Sequence, residues 1–84
     1  MQNFENILQQ VKLNIKQEKT KWKIQVGVYS NLESAHSTLS KLADVLIKEI
    51  PYTNNKSKIY VAIYPQSNSN YLLVVESKST THNL

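Results

Sequence analysis

The 84-residue sequence has no cysteine, no arginine, one glycine and two prolines. Without cysteine, neither a disulfide staple nor a thiolate metal site can form. A single glycine excludes a glycine-rich loop of the kind that cradles phosphates. The apolar runs are short, such as Leu72–Val75, and fall far below the roughly 20 residues of a membrane helix. These shortages exclude a disulfide scaffold, a nucleotide-binding loop and a membrane span.

The charge is moderately positive. Ten lysines oppose six carboxylates, for a net charge of +4, and the lysines are densest between Lys12 and Lys23. This distribution favours weak attraction to polyanions such as nucleic acid, acidic lipid or an anionic cell wall, although a solvated lysine-rich surface would also produce it. The length predicts one small domain with a thin core, which a partner or a second copy could complete.

The apolar spacing predicts two helices. Residues 3–18 carry a narrow amphipathic stripe, and Asn3 is placed to cap its start. The stripe consists of Phe4, Ile7, Leu8, Val11 and Ile15. A second helix should follow a capping box formed by Ser30 and Glu33, and it should end near Glu49 because Pro51 disfavours helical backbone at the residue before it.

Alternating apolar residues predict three strands, at Lys21–Tyr29, Lys58–Tyr64 and Tyr71–Val75. The third is apolar on both faces and is expected to be central or covered by a partner. In the first strand, alternation turns Trp22, Ile24, Val26 and Val28 inward and Lys23, Gln25, Gly27 and Tyr29 outward. Gly27 is expected to mark a bulge or a close backbone approach.

The chain divides into three expected parts. Residues 1–20 form the N-terminal amphipathic helix, residues 21–76 an α+β domain, and residues 77–84 a disordered tail. A short edge strand is also expected at residues 50–53, where Pro51 excludes a central one.

One segment resembles a known family. The run Trp22-Lys23-Ile24-Gln25-Val26-Gly27-Val28-Tyr29-Ser30, followed by a capped helix containing Ala35, resembles the opening of the SPOR (sporulation-related) domain over residues 22–46. It is most similar to the C-terminal modules of some bacterial D-alanyl-D-alanine carboxypeptidases. The resemblance implies a ferredoxin-like α+β fold: an antiparallel sheet of three to four strands with an N-terminal helix and one central helix. The family's second helix is missing, since only six residues separate Tyr64 from Tyr71.

The resemblance also implies a function. SPOR domains bind peptidoglycan glycan strands that lack stem peptides, on the helix-free face of the sheet, and localise to the division septum. The family's strand-one glutamine falls on Gln25 and its aromatic residue on Tyr29, while Tyr60 stands where the family usually has an arginine. The expected glycan-binding residues are therefore Gln25, Tyr29, Lys58, Tyr60 and Tyr64. The SPOR role would place the chain in the cell envelope or periplasm, whereas the lack of a signal peptide in the sequence as given would place it in the cytoplasm.

Two other functions stay open, and both are non-catalytic. Tyrosines on a ferredoxin-like sheet, together with ten lysines, could bind RNA as RRM domains do, although the RRM signature is missing. A degenerate SPOR remnant could instead self-associate through residues 3–18. No enzyme activity, cofactor or metal is expected, because no nucleophile and base are paired and neither His36 nor His82 has a partner at ligand spacing.

Overall fold

The computed structural model of the chain describes residues 3–50 and 57–79. These residues form an α+β fold with two helices and three strands, as the sequence predicted. The elements in chain order are α1 (Phe4–Lys16), β1 (Trp22–Tyr29), α2 (Leu32–Glu49), β2 (Ser57–Pro65) and β3 (Tyr71–Ser79).

The three strands form one antiparallel sheet in the order β1-β3-β2. The last strand in the chain is therefore the central one, as its two apolar faces predicted, and α2 connects the two outer strands. This βαββ order, with the sheet order β1-β3-β2, is consistent with the first four elements of a ferredoxin-like βαββαβ fold. Among the described residues, the loop between β2 and β3 contains no helix.

Both described helices lie on one face of the sheet and share a single core with it. The buried residues of this core are Ile7, Leu8, Val11, Ile24, Val26, Leu42, Leu46, Leu73 and Val75. The stripe of α1 is thus buried against β1 and α2 within the chain itself. The described residues therefore bury the stripe of α1 within one copy of the chain.

Strand β1 contains a bulge that changes which side chains face the helices. The pairing with β3 shifts between Gln25 and Gly27, so Val26 is an extra residue in the ladder, and the expected bulge is confirmed. Beyond the bulge the alternation reverses. Tyr29 packs against the core and Val28 is 54% exposed, so the predicted orientation of these two residues was wrong.

Asparagine side chains cap both helices. The Oδ1 atom of Asn3 accepts a hydrogen bond from the backbone amide of Asn6 at 2.8 Å, as expected. Helix α2 ends at Glu49 as predicted, but its cap is Asn31, which accepts from the amide of Ser34 at 2.8 Å. The predicted cap at Ser30 was therefore one residue too early.

The last strand is longer than its apolar run. Strand β3 continues to Ser79, and Ser77 is buried, with its hydroxyl donating to the backbone oxygen of Thr20 at 3.4 Å. The expected disordered tail was thus wrong for residues 77–79. Residues 80–84 and the predicted edge strand beyond Ile50 lie outside the described residues.

Neither α1 nor α2 combines the length and apolar character that crossing a bilayer requires, within the ranges the structure describes.

The buried stripe of α1 gives a stability prediction. Ile7→Ala should lower the free energy of unfolding by about 2–5 kcal/mol, because a fully buried side chain leaves a cavity in the core. Leu13→Ala is the matched control on the same helix; Leu13 is 51% exposed, and its loss should change the value by no more than about 0.5 kcal/mol. Urea unfolding measures both. Equal effects of the two variants would contradict the packing of α1.

Candidate functional site

The sheet face opposite the helices, called here the open face, is the candidate site. Its side chains follow from the register of the three strands and from the position of the core. They are Lys23, Gln25 and Val28 on β1, Leu72, Val74, Glu76 and Lys78 on β3, and Lys58, Tyr60, Ala62 and Tyr64 on β2. No described helix covers this face.

Four of the five predicted site residues lie on the open face. Gln25 and Lys58 are exposed, Tyr60 is 44% exposed and Tyr64 is 37% exposed. Tyr29 does not join them, because the bulge turns its side chain toward the helices. The remaining four lie on the two outer strands, Gln25 on β1 and the other three on β2, with β3 between them.

A side-chain hydrogen bond on the open face joins Tyr64 to Glu76. The Tyr64 hydroxyl donates a hydrogen bond to Oε2 of Glu76. Tyr64 stands opposite Leu72, four residues from Glu76 along β3, or about 13 Å at the rise of a strand. Its side chain must therefore extend along the sheet past Val74, rather than upward into solvent.

On the open face, side chains of the sheet itself cover the central strand β3, since no described helix lies there. Val74 belongs to the open face, and it is nonetheless fully inaccessible to water. Its direct neighbours in the ladder are Gln25 and Ala62, and it lies on β3 between Leu72, which Tyr64 faces, and Glu76, to which the Tyr64 hydroxyl donates. The polar side chains of the open face thus bury an apolar residue that would otherwise be exposed.

Glu76 is the residue of the candidate site that the sequence analysis missed. It is only 6% exposed, and it stands between Lys23 on one strand and Tyr60 on the other. A carboxylate buried this far needs hydrogen-bond partners, and the Tyr64 hydroxyl is one of them. The signal was present in the sequence, since Glu76 directly follows the apolar run of β3 and shares the alternation parity of Val74.

The hydrogen bond to Glu76, the partial loss of hydration and the charge of the Glu76 carboxylate all raise the pKa of Tyr64 above its ordinary value of 10.0. The phenol is the form that donates to the carboxylate, so the contact holds Tyr64 in its neutral state. The open face therefore presents Tyr64 as a hydrogen-bonded aromatic ring throughout the physiological pH range.

Two lysines lie over the tyrosine rings of the open face. The Nζ atom of Lys23 is 5.1 Å from the centroid of the Tyr64 ring, and that of Lys78 is 5.8 Å from the Tyr60 ring. Both distances are within the range of cation–π attraction. Lys23, Tyr64 and Glu76 thus form one connected group across β1, β2 and β3.

Apart from the open face, a concave region of about 430 Å³ lies between α2 and β2. It is lined by apolar side chains, apart from Tyr60 at its edge; they include Leu39, Ile47, Ile50 and Ile59. Ligand sites combine apolar walls with a few convergent polar groups, which this groove lacks. In the described part of the chain, no three His, Asp or Glu side chains are grouped so as to hold a metal ion.

The open face carries several kinds of polar and aromatic group. It offers aromatic rings, ammonium groups and an amide, which can stack, attract anions and form hydrogen bonds. Comparison of the chain with protein-family models, with curated proteins and with solved structures found no match. The resemblance to SPOR domains therefore stays a prediction from the sequence.

The pairing of Tyr64 with Glu76 predicts a titration effect. In the variant Glu76→Ala the pKa of Tyr64 should fall toward 10.0, because its acceptor and the neighbouring negative charge are both removed. The near-ultraviolet absorbance of phenolate, followed against pH in the wild type and the variant, measures this shift. Glu33→Ala removes an exposed carboxylate from α2 and should leave the curve unchanged. An unaltered curve in Glu76→Ala would contradict the contact.

The same contact predicts how stability depends on pH. The raised pKa means that unfolded chains lose the Tyr64 proton first as the pH rises above 10.0, so the stabilisation by Tyr64 is complete below that pH and declines above it. Wild type should be more stable than Tyr64→Phe at pH 8, and this difference should shrink at pH 11. Chemical unfolding of both proteins at each pH provides the measurement, and a difference that stays constant would refute the linkage.

Proposed function

We propose that this chain is a non-catalytic binding module, resembling SPOR domains, that recognises peptidoglycan glycan strands through the open face. The observation that carries the proposal is the one-sided arrangement of the helices. Both described helices cover the face of Leu73 and Val75, which leaves Gln25, Tyr60 and Tyr64 accessible on the other.

The side chains of the open face suit a chain of sugars. Sugar rings present C–H surfaces that pack against aromatic rings, and their hydroxyl and acetamido groups require hydrogen-bond partners. Tyr60 and Tyr64 offer partly exposed rings on one strand, and Gln25 offers an amide on another. Such a surface extends across the sheet, as a linear ligand needs, whereas the apolar groove beside α2 has few groups for hydroxyls.

The departures from the SPOR pattern shape the proposal. Tyr60 stands at the position of the family's arginine, and Tyr29 is turned away by the bulge, so the aromatic contribution comes from β2 rather than β1. Lys58, exposed on the same strand as Tyr60, supplies a positive charge near the position where the family has arginine. The proposed site is therefore Gln25, Lys58, Tyr60 and Tyr64.

RNA binding is the second candidate, because one observation favours it. The same face carries exposed lysines beside two tyrosine rings. Proteins that bind single-stranded RNA combine positive charge and aromatic rings in this way. Self-association through residues 3–18 has less support, since the stripe of α1 is buried within the chain.

A sedimentation assay with cell-wall sacculi tests the proposal. Sacculi treated with an amidase, which removes stem peptides, should retain the wild-type protein, and the double variant Gln25→Ala, Tyr60→Ala should bind at least about tenfold more weakly. A double variant on the helical side, Gln9→Ala, Lys48→Ala, is the matched control and should bind like the wild type.

Competition then separates the two candidates. Single-stranded RNA should not release the protein from the sacculi if glycan is the ligand. Equal retention of the wild type and the Gln25→Ala, Tyr60→Ala variant would exclude the proposed site. Release by RNA, with an affinity that falls steeply as salt rises, would favour the nucleic-acid function instead.

A further inference from the structure

The tyrosine rings of the open face are not free for stacking as they stand. The Lys23 ammonium lies over the Tyr64 ring at 5.1 Å, and the Lys78 ammonium lies over the Tyr60 ring at 5.8 Å. A sugar that stacks on either ring meets a lysine already placed there. Binding therefore requires that each lysine move aside or be incorporated into the complex.

The exposed charge of the open face has one sign. Lys23, Lys58 and Lys78 are exposed, whereas the face's one carboxylate, Glu76, is 6% exposed and accepts the Tyr64 hydroxyl. An approaching ligand thus encounters three exposed lysines on this face, two of which lie over tyrosine rings. Charge complementarity then favours a ligand that carries negative groups close to its sugar rings.

The two contacts that a lysine can make differ in strength. A cation–π contact at an exposed site is weak, while a charge-assisted hydrogen bond from ammonium to carboxylate is stronger. A carboxylate on the ligand would therefore draw a lysine off its ring and free the ring for stacking. A neutral sugar must displace the same lysine with no such compensation.

We propose that Lys23 and Lys78 act as specificity residues that make the open face select glycans bearing a carboxylate on the sugar over neutral glycans. This inference rests on the proposed glycan-binding function and deepens it. A glycan whose stem peptides have been removed has this chemistry, because hydrolysis of the amide leaves a free carboxylate on the lactyl group of each muramic acid.

Titration with two oligosaccharides of equal length tests the inference. One is a peptidoglycan tetrasaccharide with free lactyl carboxylates, and the other is neutral chitotetraose. The wild-type protein should bind the acidic sugar at least about tenfold more tightly at low salt. The variant Lys23→Met, Lys78→Met keeps the aliphatic length but removes both ammonium groups. It should bind the acidic sugar more weakly and the neutral sugar more tightly.

The matched control is Lys41→Met, Lys48→Met, which removes two exposed charges from α2 on the opposite side. Its preference for the acidic sugar should equal that of the wild type. Circular dichroism of all three proteins verifies that the comparison is made between folded chains.

The outcomes separate the inference from the function on which it rests. Equal binding of both sugars by the wild type, or an equal loss for both sugars in Lys23→Met, Lys78→Met, would overturn the role of the lysines and leave glycan binding in place. Failure of the wild type to bind either sugar would overturn the proposed function. Tighter binding of a short single-stranded RNA than of the acidic sugar would overturn both.

Discussion

The structure depends on the burial of β3 on both faces of the sheet, although the described helices cover only one of these faces. On the helical side, Leu73 and Val75 pack against α1 and α2. On the other side Val74 is equally buried, and no described helix is available to cover it. The long side chains of the flanking strands must do this, and the Tyr64 hydrogen bond to Glu76 keeps one of them lying along the sheet. The polar and aromatic character of the open face follows from this requirement.

Under the proposed function, stability and recognition share the same residues. Tyr64 both shields Val74 and presents a partly exposed ring, and Glu76 holds that ring while its own charge stays buried. Under the proposed function, a Tyr64 ring already held by Glu76 loses little conformational entropy on binding. The exposed lysines are held less firmly, because their contacts with the rings are weak.

Much of this arrangement could be predicted from the sequence, because the alternation of β2 is unbroken and β3 is apolar on both faces. Both features placed Tyr60 and Tyr64 on the outer face and β3 in the centre, as the structure shows. The failures have local causes. The bulge at Val26 reverses the alternation and turns Tyr29 inward, and a single glycine signals that a bulge exists without specifying its register.

The cap of α2 and the burial of Glu76 differ from the sequence predictions because both depend on contacts that form only in the folded chain. Ser30 and Asn31 are both good caps, and Asn31 is used because its side chain reaches the amide of Ser34. Glu76 appeared to end the last strand because a charged residue follows the apolar run. Its burial became understandable only when the register placed Tyr60 and Lys23 on either side of it and the Tyr64 hydroxyl within reach.

Side-chain NMR signals test the open face as the binding surface most directly, because they distinguish the two faces of a sheet where backbone amides do not. Addition of a stem-peptide-free glycan fragment should shift the signals of the Gln25 side-chain amide and of the Tyr60 and Tyr64 ring protons. The methyl signals of Leu42 and Leu46, which are buried between α2 and the sheet, should keep their positions. Shifts confined to the helical side, or an unaffected Gln25 and Tyr60, would contradict the assignment of the open face as the binding surface.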